Sequence, residues 1–258
     1  MRICRFYAKT AGPNTATFCG TIEGDHVFEI ASLFEPQKQL AKSWPLSDIR
    51  FLAPSEPSKI VCVGRNYAAH AAELGNDVPK EPLIFLKPPS AILAPEESIF
   101  LTPYSQRVDH EGELAIIIGR RCSHLGDSES VWPYILGYTC LNDVTARDLQ
   151  KKDVQYTRAK GFDTFCPFGP WIETDLDLSR ARVETMVNGQ KRQSAPVSEM
   201  IFSVETIVRW ISQMMTLEPG DVIATGTPSG IGPLSAGDVV EVSITGIGIL
   251  RNPVAKPK

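Results

Sequence analysis

Residues 108–119, VDHEGELAIIIG, restrict the fold of this 258-residue chain more than any other stretch. Leu114, Ala115, Ile116, Ile117 and Ile118 form an apolar, β-branched run that reads as a strand entering a core. Just before it stand Glu111 and Glu113, with only Gly112 between them. On a strand, residues i and i+2 share a face, so the two carboxylates project side by side. Like charges held together at the mouth of an apolar strand are unfavourable unless something positive meets them. A hard divalent cation suits carboxylate oxygens, which makes Mg²⁺, Mn²⁺ or Ca²⁺ the candidates. The same pattern also describes an exposed strand end with two solvated glutamates, and E-x-E alone does not separate the two.

Charge and cysteine usage narrow the class. A formal charge of −4 leaves no basic surplus for nucleic acid. No stretch approaches ~20 consecutive apolar residues, so no membrane span is expected. The opening MRICRFYAKTAGP lacks the long apolar region of a secretion signal. Cys4, Cys19, Cys62, Cys122, Cys140 and Cys166 make no CxxC pair, which suits free thiols in a reducing cytosol. A cytoplasmic location is expected. The length allows one large domain, or one with a small appendage.

Residues 1–30 alternate apolar and polar between glycine turns and read as short antiparallel strands. Residues 31–50 read as a short polar helix or loop. FLAPSEPSK, residues 51–59, carries two prolines and reads as a connector. The expected division is a small β-rich N-terminal section over 1–55, structural or oligomer-forming, and a main domain over 56–258.

The main domain opens with the apolar strand Ile60, Val61, Cys62, Val63, followed by GRNYAAHAAELG. Its alanines predict a helix, with Asn66 as N-cap and Gly75 closing it. His70 and Glu73 then lie i, i+3 on one face, either a base with its orienting carboxylate or an incidental surface pair. A short helix bounded by glycines is suited to act as a lid. In the next strand, Lys87 reads as a ligand contact or, more simply, as a solvated strand end. Asp143 falls where the strand run 134–141 gives way to a helical turn, an address for a site residue or a plain N-cap. Lys160, before a Phe-rich loop bounded by prolines, faces a pocket or snorkels at the surface. Residues 171–178 and RVETMVNGQKRQ read as strands, the second turning at Asn188-Gly189. Apolar spacing over 197–217 predicts one amphipathic helix capped near Ser203. TGTPSGIG, residues 225–232, is a wide turn or a carboxylate-binding loop; it lacks the Walker lysine, which excludes nucleotide binding.

In their order, GRNYAAHAAE, KPPSAI, VDHEGELAIIIG, YTCLNDVTARDLQ, AKGFDTFCPFGP and EPGDVIATGTPSGIG resemble the fumarylacetoacetate hydrolase family, over roughly residues 60–250. They are most similar to its small acylpyruvate hydrolases and the related isomerases and decarboxylases. The resemblance implies a mainly β fold with some α, a roll of mixed sheets around the site, usually a homodimer. It implies Mg²⁺ or Mn²⁺ held by Glu111, Glu113 and Asp143, with Ca²⁺ a substitute in crystals. It assigns water activation to His70 and Glu73, a role near the substrate to Lys160, and substrate or bound-water contacts to Arg147, Gln150 and Thr227. The implied reaction is C–C hydrolysis of acylpyruvate-type 2,4-dioxo acids such as acetylpyruvate or fumarylpyruvate, through a pyruvate enolate. Oxaloacetate decarboxylation and 2-hydroxyhepta-2,4-diene-1,7-dioate isomerisation use the same metal site and stay open. So does a metal-binding protein without turnover, which would have no use for a base.

Overall fold

The structure, a computed structural model, describes residues 1–9 and 16–257. At its centre is the strand Gly112–Ile118, in which every residue is buried. Leu114, Ile116 and Ile118 pack on one side with Val61, Tyr138, Val183, Val242 and Ile244. Ala115 and Ile117 pack on the other side with Ile60, Cys62, Phe168 and Val222. Burial on both faces is why this stretch is continuously apolar instead of alternating. Each of its fully buried isoleucines contributes about 2 kcal/mol of transfer free energy.

This strand lies in a twelve-stranded sheet. On one side it pairs antiparallel with Ile135–Asn142, setting Gly112 opposite Asn142 and Leu114 opposite Cys140. On the other it pairs with Val222–Ala224, which runs parallel to Ile60–Gly64. The edge beyond is Leu83–Lys87, antiparallel to Ile60–Gly64. A five-stranded sheet built on the hairpin Arg182–Val187 and Gln190–Pro196 covers one face. A three-stranded sheet contains Val108–His110. Most pairings are antiparallel, so the architecture is mainly β, with mixed sheets. Among the described residues there are four α-helices: α1 (Ala68–Glu73), α2 (Arg147–Lys152), α3 (Thr157–Lys160) and α4 (Val204–Met214).

The N-terminal strands do not form a sheet of their own. Arg2–Ala8 pairs with Cys166–Glu173, so the first section extends the large sheet. Residues 31–50 differ from expectation, since they include the strand Gln39–Pro45 and a 3₁₀ turn at Leu46–Asp48. The strand escapes a pattern reading because it is an outer edge with nearly every residue exposed. Only Trp44 turns in, its ring 5.2 Å from Phe6 and 4.9 Å from Phe18.

Three other expectations shift. The amphipathic helix covers only Val204–Met214, with Ser203 as N-cap accepting from the Thr206 N–H. Residues just before it are drawn away by Asn66, whose carbonyl accepts from the Ile201 N–H at 2.9 Å and whose side chain accepts from Phe202 N–H at 2.7 Å. Asn66 therefore does not cap α1; its Nδ2 donates to the Phe202 and Thr225 carbonyls instead. The strand expected over 171–178 is Cys166–Glu173, starting within the loop read as proline-bounded. A pairing irregularity against Tyr138 and Cys140 accommodates its prolines. The hairpin turn at Asn188-Gly189 stands as expected, with φ of 52° and 73°.

Candidate active site

Backbone pairing assembles the carboxylates. Glu111 sits in the break between Val108–His110 and Gly112–Ile118, and Asp143 follows the partner strand. The Asp143 N–H donates to the Glu111 carbonyl at 2.8 Å, and the Glu111 N–H donates to Asn142 Oδ1 at 2.9 Å. Glu113 projects one pleat along. The three are 4%, 2% and 1% exposed, and each offers an oxygen within 4.8 Å of the others'. The solvated strand end is thereby excluded.

Three buried cations meet this cluster unevenly. Lys160 Nζ lies 2.9 Å from Glu111 Oε2 and 2.6 Å from Asp143 Oδ2. Lys87 Nζ lies 2.6 Å from Asp143 Oδ1 and donates to the Val144 carbonyl at 3.1 Å. Arg147, at the start of α2, holds Glu111 and reaches Asp109 at 3.0 Å. Among the described residues, Glu113 accepts only the Gly226 N–H, at 2.7 Å. Its pKa is pushed well above the carboxylate range by burial and then by Asp143 and Glu111. Burial acts the same way on Glu111, but Lys160 and Arg147 outweigh it and hold the carboxyl below that range. Three oxygen donors around one point, one of them without a cationic partner, form a set that suits a hard divalent cation.

Two of these lysines differ from a reading by local sequence. Lys87 is no solvated strand end; it is 1% exposed, since pairing opposite Ile60 places it inside the sheet beneath Asp143. Lys160 does not snorkel at the surface; it is 2% exposed, and its ammonium also sits 4.9 Å from the Phe85 ring.

The carboxylates line a cavity of about 250 Å³, together with Lys160, Arg147, Gln150, Thr227 and His70. His70 is buried on α1, with Nδ1 3.3 Å from Glu73 Oε2. Glu73 stands behind it, off the cavity wall, and its other oxygen accepts the Gly230 N–H at 3.0 Å. Gln150 Oε1 accepts from Arg147 at 2.6 Å. Thr227 donates its hydroxyl to the Gly112 carbonyl at 2.8 Å and accepts from Gln193 Nε2 at 2.7 Å. In the TGTPSGIG loop, the N–H groups of Gly226 and Gly230 thus bind this chain's own carboxylates. Asp109 and Gln193 escaped the sequence reading, which left Lys87 between a ligand contact and a solvated strand end. An apolar strand closing on a lysine was the one available signal for Lys87; Gln193, in the polar run NGQKRQ, had none.

A family profile described as fumarylacetoacetate (FAA) hydrolase C-terminal matches residues 59–255. The chain belongs to this hydrolase family. A second profile, Rv2993c-like N-terminal, matches residues 1–54. Among solved structures, the 5-carboxymethyl-2-hydroxymuconate delta-isomerase of Mycobacterium smegmatis is 48% identical, with a TM-score of 0.90 over 99% of this chain and 100% of that one. The maleylpyruvate hydrolase of Sphingobium sp. SYK-6 is 30% identical, with a TM-score of 0.79 over 99% and 100%. Oxaloacetate tautomerase FAHD2A, mitochondrial, of Bos taurus is 42% identical over 223 residues, 81% of this chain and 71% of that protein. Members of the fumarylacetoacetate hydrolase family with these names are enzymes, and this chain shares their fold.

Proposed function

We propose that this protein is a divalent-metal-dependent enzyme that enolises small 2-oxo acids. The observation that carries the reading is one cavity shared by the carboxylates Glu111, Glu113 and Asp143, the base His70 and the ammonium of Lys160. Mg²⁺ or Mn²⁺ held there would supply a Lewis acid for the carboxylate and keto oxygens of a 2-oxo acid. The rest is the work of side chains. Glu73 accepts the Nδ1 proton of His70, which leaves Nε2 as the basic nitrogen. Nε2 takes a proton from the carbon next to the keto group. Lys160 faces the developing oxyanion and can return a proton. The carbons and atoms exchanged are those of a keto–enol tautomerisation or a double-bond isomerisation, and the names of the isomerase and tautomerase relatives support that outcome.

Acylpyruvate hydrolysis is the second reading, favoured by the name of the maleylpyruvate hydrolase relative and served by the same His70–Glu73 pair. With Nε2 taking a proton from water, the hydroxide attacks the distal carbonyl of a 2,4-dioxo acid. The C–C bond then breaks, and the pyruvate carbon is reprotonated. A homodimer belongs to the proposal on the resemblance alone.

The test measures oxaloacetate tautomerisation and acetylpyruvate hydrolysis, with Mg²⁺, on wild type and His70→Ala. Loss of the base should lower the dominant activity by about 10²–10⁴-fold while Mg²⁺ binding survives. Undiminished turnover of both substrates in His70→Ala would refute the role given to His70.

A further inference from the structure

Arg65 stands apart from the charges that serve the carboxylate cluster. It follows the strand Ile60–Gly64 and adopts a left-handed backbone, φ 57°, which strains an L side chain. Its neighbours leave it little freedom. Gly64 is paired with Leu83, and Asn66 is tied by its side chain to Phe202 and Thr225. The side chain lines the same cavity as Glu111 and Lys160 and is half-buried, with no hydrogen-bonding or ionic partner among the described residues. The other arginines in that condition, Arg120, Arg180 and Arg192, are exposed.

A second cation lines the same cavity. On α2, Arg147, Gln150 and Lys151 fall at i, i+3 and i+4, so they share one face, and all three line the cavity. Arg147 is buried against Glu111, whereas Lys151, about one 5.4 Å turn further on, is exposed. That face therefore runs from floor to mouth. Lys160, Lys87 and Arg147 are committed to Glu111 and Asp143, whereas Arg65 and Lys151 have no ionic partner among the described residues, so their positive charge is left for a ligand.

A 2-oxo acid with an apolar tail would leave a half-buried guanidinium without an acceptor, which is costly. A second carboxylate would offer it a paired, charge-assisted contact. We infer that Arg65, with Lys151 lining the same cavity, receives a second carboxylate at the far end of the substrate. The site thereby selects 2-oxo dicarboxylates over monocarboxylates of equal length. The inference rests on the 2-oxo acid reading above.

Calorimetric titration with 2-oxoglutarate and with 2-oxopentanoate, in Mg²⁺, separates the two claims. Wild type should bind the diacid about tenfold or more tightly than the monoacid. Arg65→Gln should lose most of that preference. Arg65→Lys, which keeps the charge but not the fork, should retain part of it. Equal binding of both acids by wild type, or a full preference surviving in Arg65→Gln, overturns the inference and leaves the 2-oxo acid reading standing. Binding of neither acid overturns both. Thermal unfolding of each variant checks its fold, and the wild-type comparison stands even if a variant does not fold.

Discussion

The residues around Asp143 show how a buried charge sets its own terms. Lys87 and Lys160 each place an ammonium 2.6 Å from one of its oxygens, in a region almost closed to water. Removing one partner from a buried pair leaves the other charge uncompensated, at a cost of about 3–5 kcal/mol. Lys160 still faces Asp143 after Lys87→Met, so the substitution should lower the unfolding free energy of the metal-free protein, read by urea denaturation, by up to that amount; a loss below about 1 kcal/mol would show that Asp143 does not depend on Lys87. His110 gives a pH test. It is 1% exposed and reaches Gln193 Oε1 from Nδ1 at 3.3 Å. Burial lowers its pKa more than the Gln193 contact and the nearby Asp109 raise it. The folded protein thus holds the imidazole neutral while the unfolded chain takes up a proton near about pH 6.5. Its contribution is present above that pH and is lost as the pH falls toward the lower folded value. His110→Gln should flatten the decline in stability between about pH 7.5 and about pH 5, and an unchanged slope would assign the decline to other groups.

At the scale of elements, Gly112 decides whether the central strand and the covering sheet can close on one another. A Cβ there would run into the Thr185 hydroxyl and lie 3.2 Å from Val242 Cγ1. The absence of a side chain at this point brings Arg182–Val187 and Val239–Ile244 against the Glu111–Glu113 segment. Gly112→Ala should cost about 1–3 kcal/mol through overpacking. Thr185→Ala in the same chain should recover part of that loss, because the two substitutions share one contact. Strictly additive denaturation energies in the double-mutant cycle would place the strain elsewhere.

At the scale of the molecule, the candidate site ties together segments far apart in sequence. Its carboxylates come from 111–143, Lys87 from an edge strand, His70 from α1, and the Gly226 and Gly230 donors from the loop that clasps Glu113 and Glu73. The N-terminal strands extend the same sheet from Cys166–Glu173, and at that junction the Met1 ammonium meets Glu173 at 2.7 Å. A cation held at the cluster would bind the folded chain and not the unfolded one, so its binding energy would add to folding. Mg²⁺ at about 100 times its dissociation constant should stabilise the protein by about 2.7 kcal/mol, and EDTA should reverse the gain. Identical unfolding midpoints with Mg²⁺ and with EDTA would remove the metal from this site.

The central strand, the E-G-E pair, the alanine helix with His70 and Glu73, and the hairpin at Asn188-Gly189 were legible in the sequence. Each is a local matter: a run of β-branched residues, a two-residue period, a three-residue helical spacing, a turn that needs positive φ. The motifs in order also named the family. Tertiary structure alone decided which charges are buried. Lys87 looks like a strand-end lysine until its pairing opposite Ile60 sets it against Asp143, and only the fold decides that Lys160, at the end of α3, faces the cavity and not solvent. Asn66 looks like a helix cap until Phe202 and Thr225 arrive at its side chain. The edge strand Gln39–Pro45 carries no periodic signal, because only its neighbour in the sheet makes it a strand. The physical reason is common to all of these. Desolvation and pairing energies depend on what the folded chain brings within a few ångströms, and residues separated by dozens of positions leave no trace of that proximity in local composition.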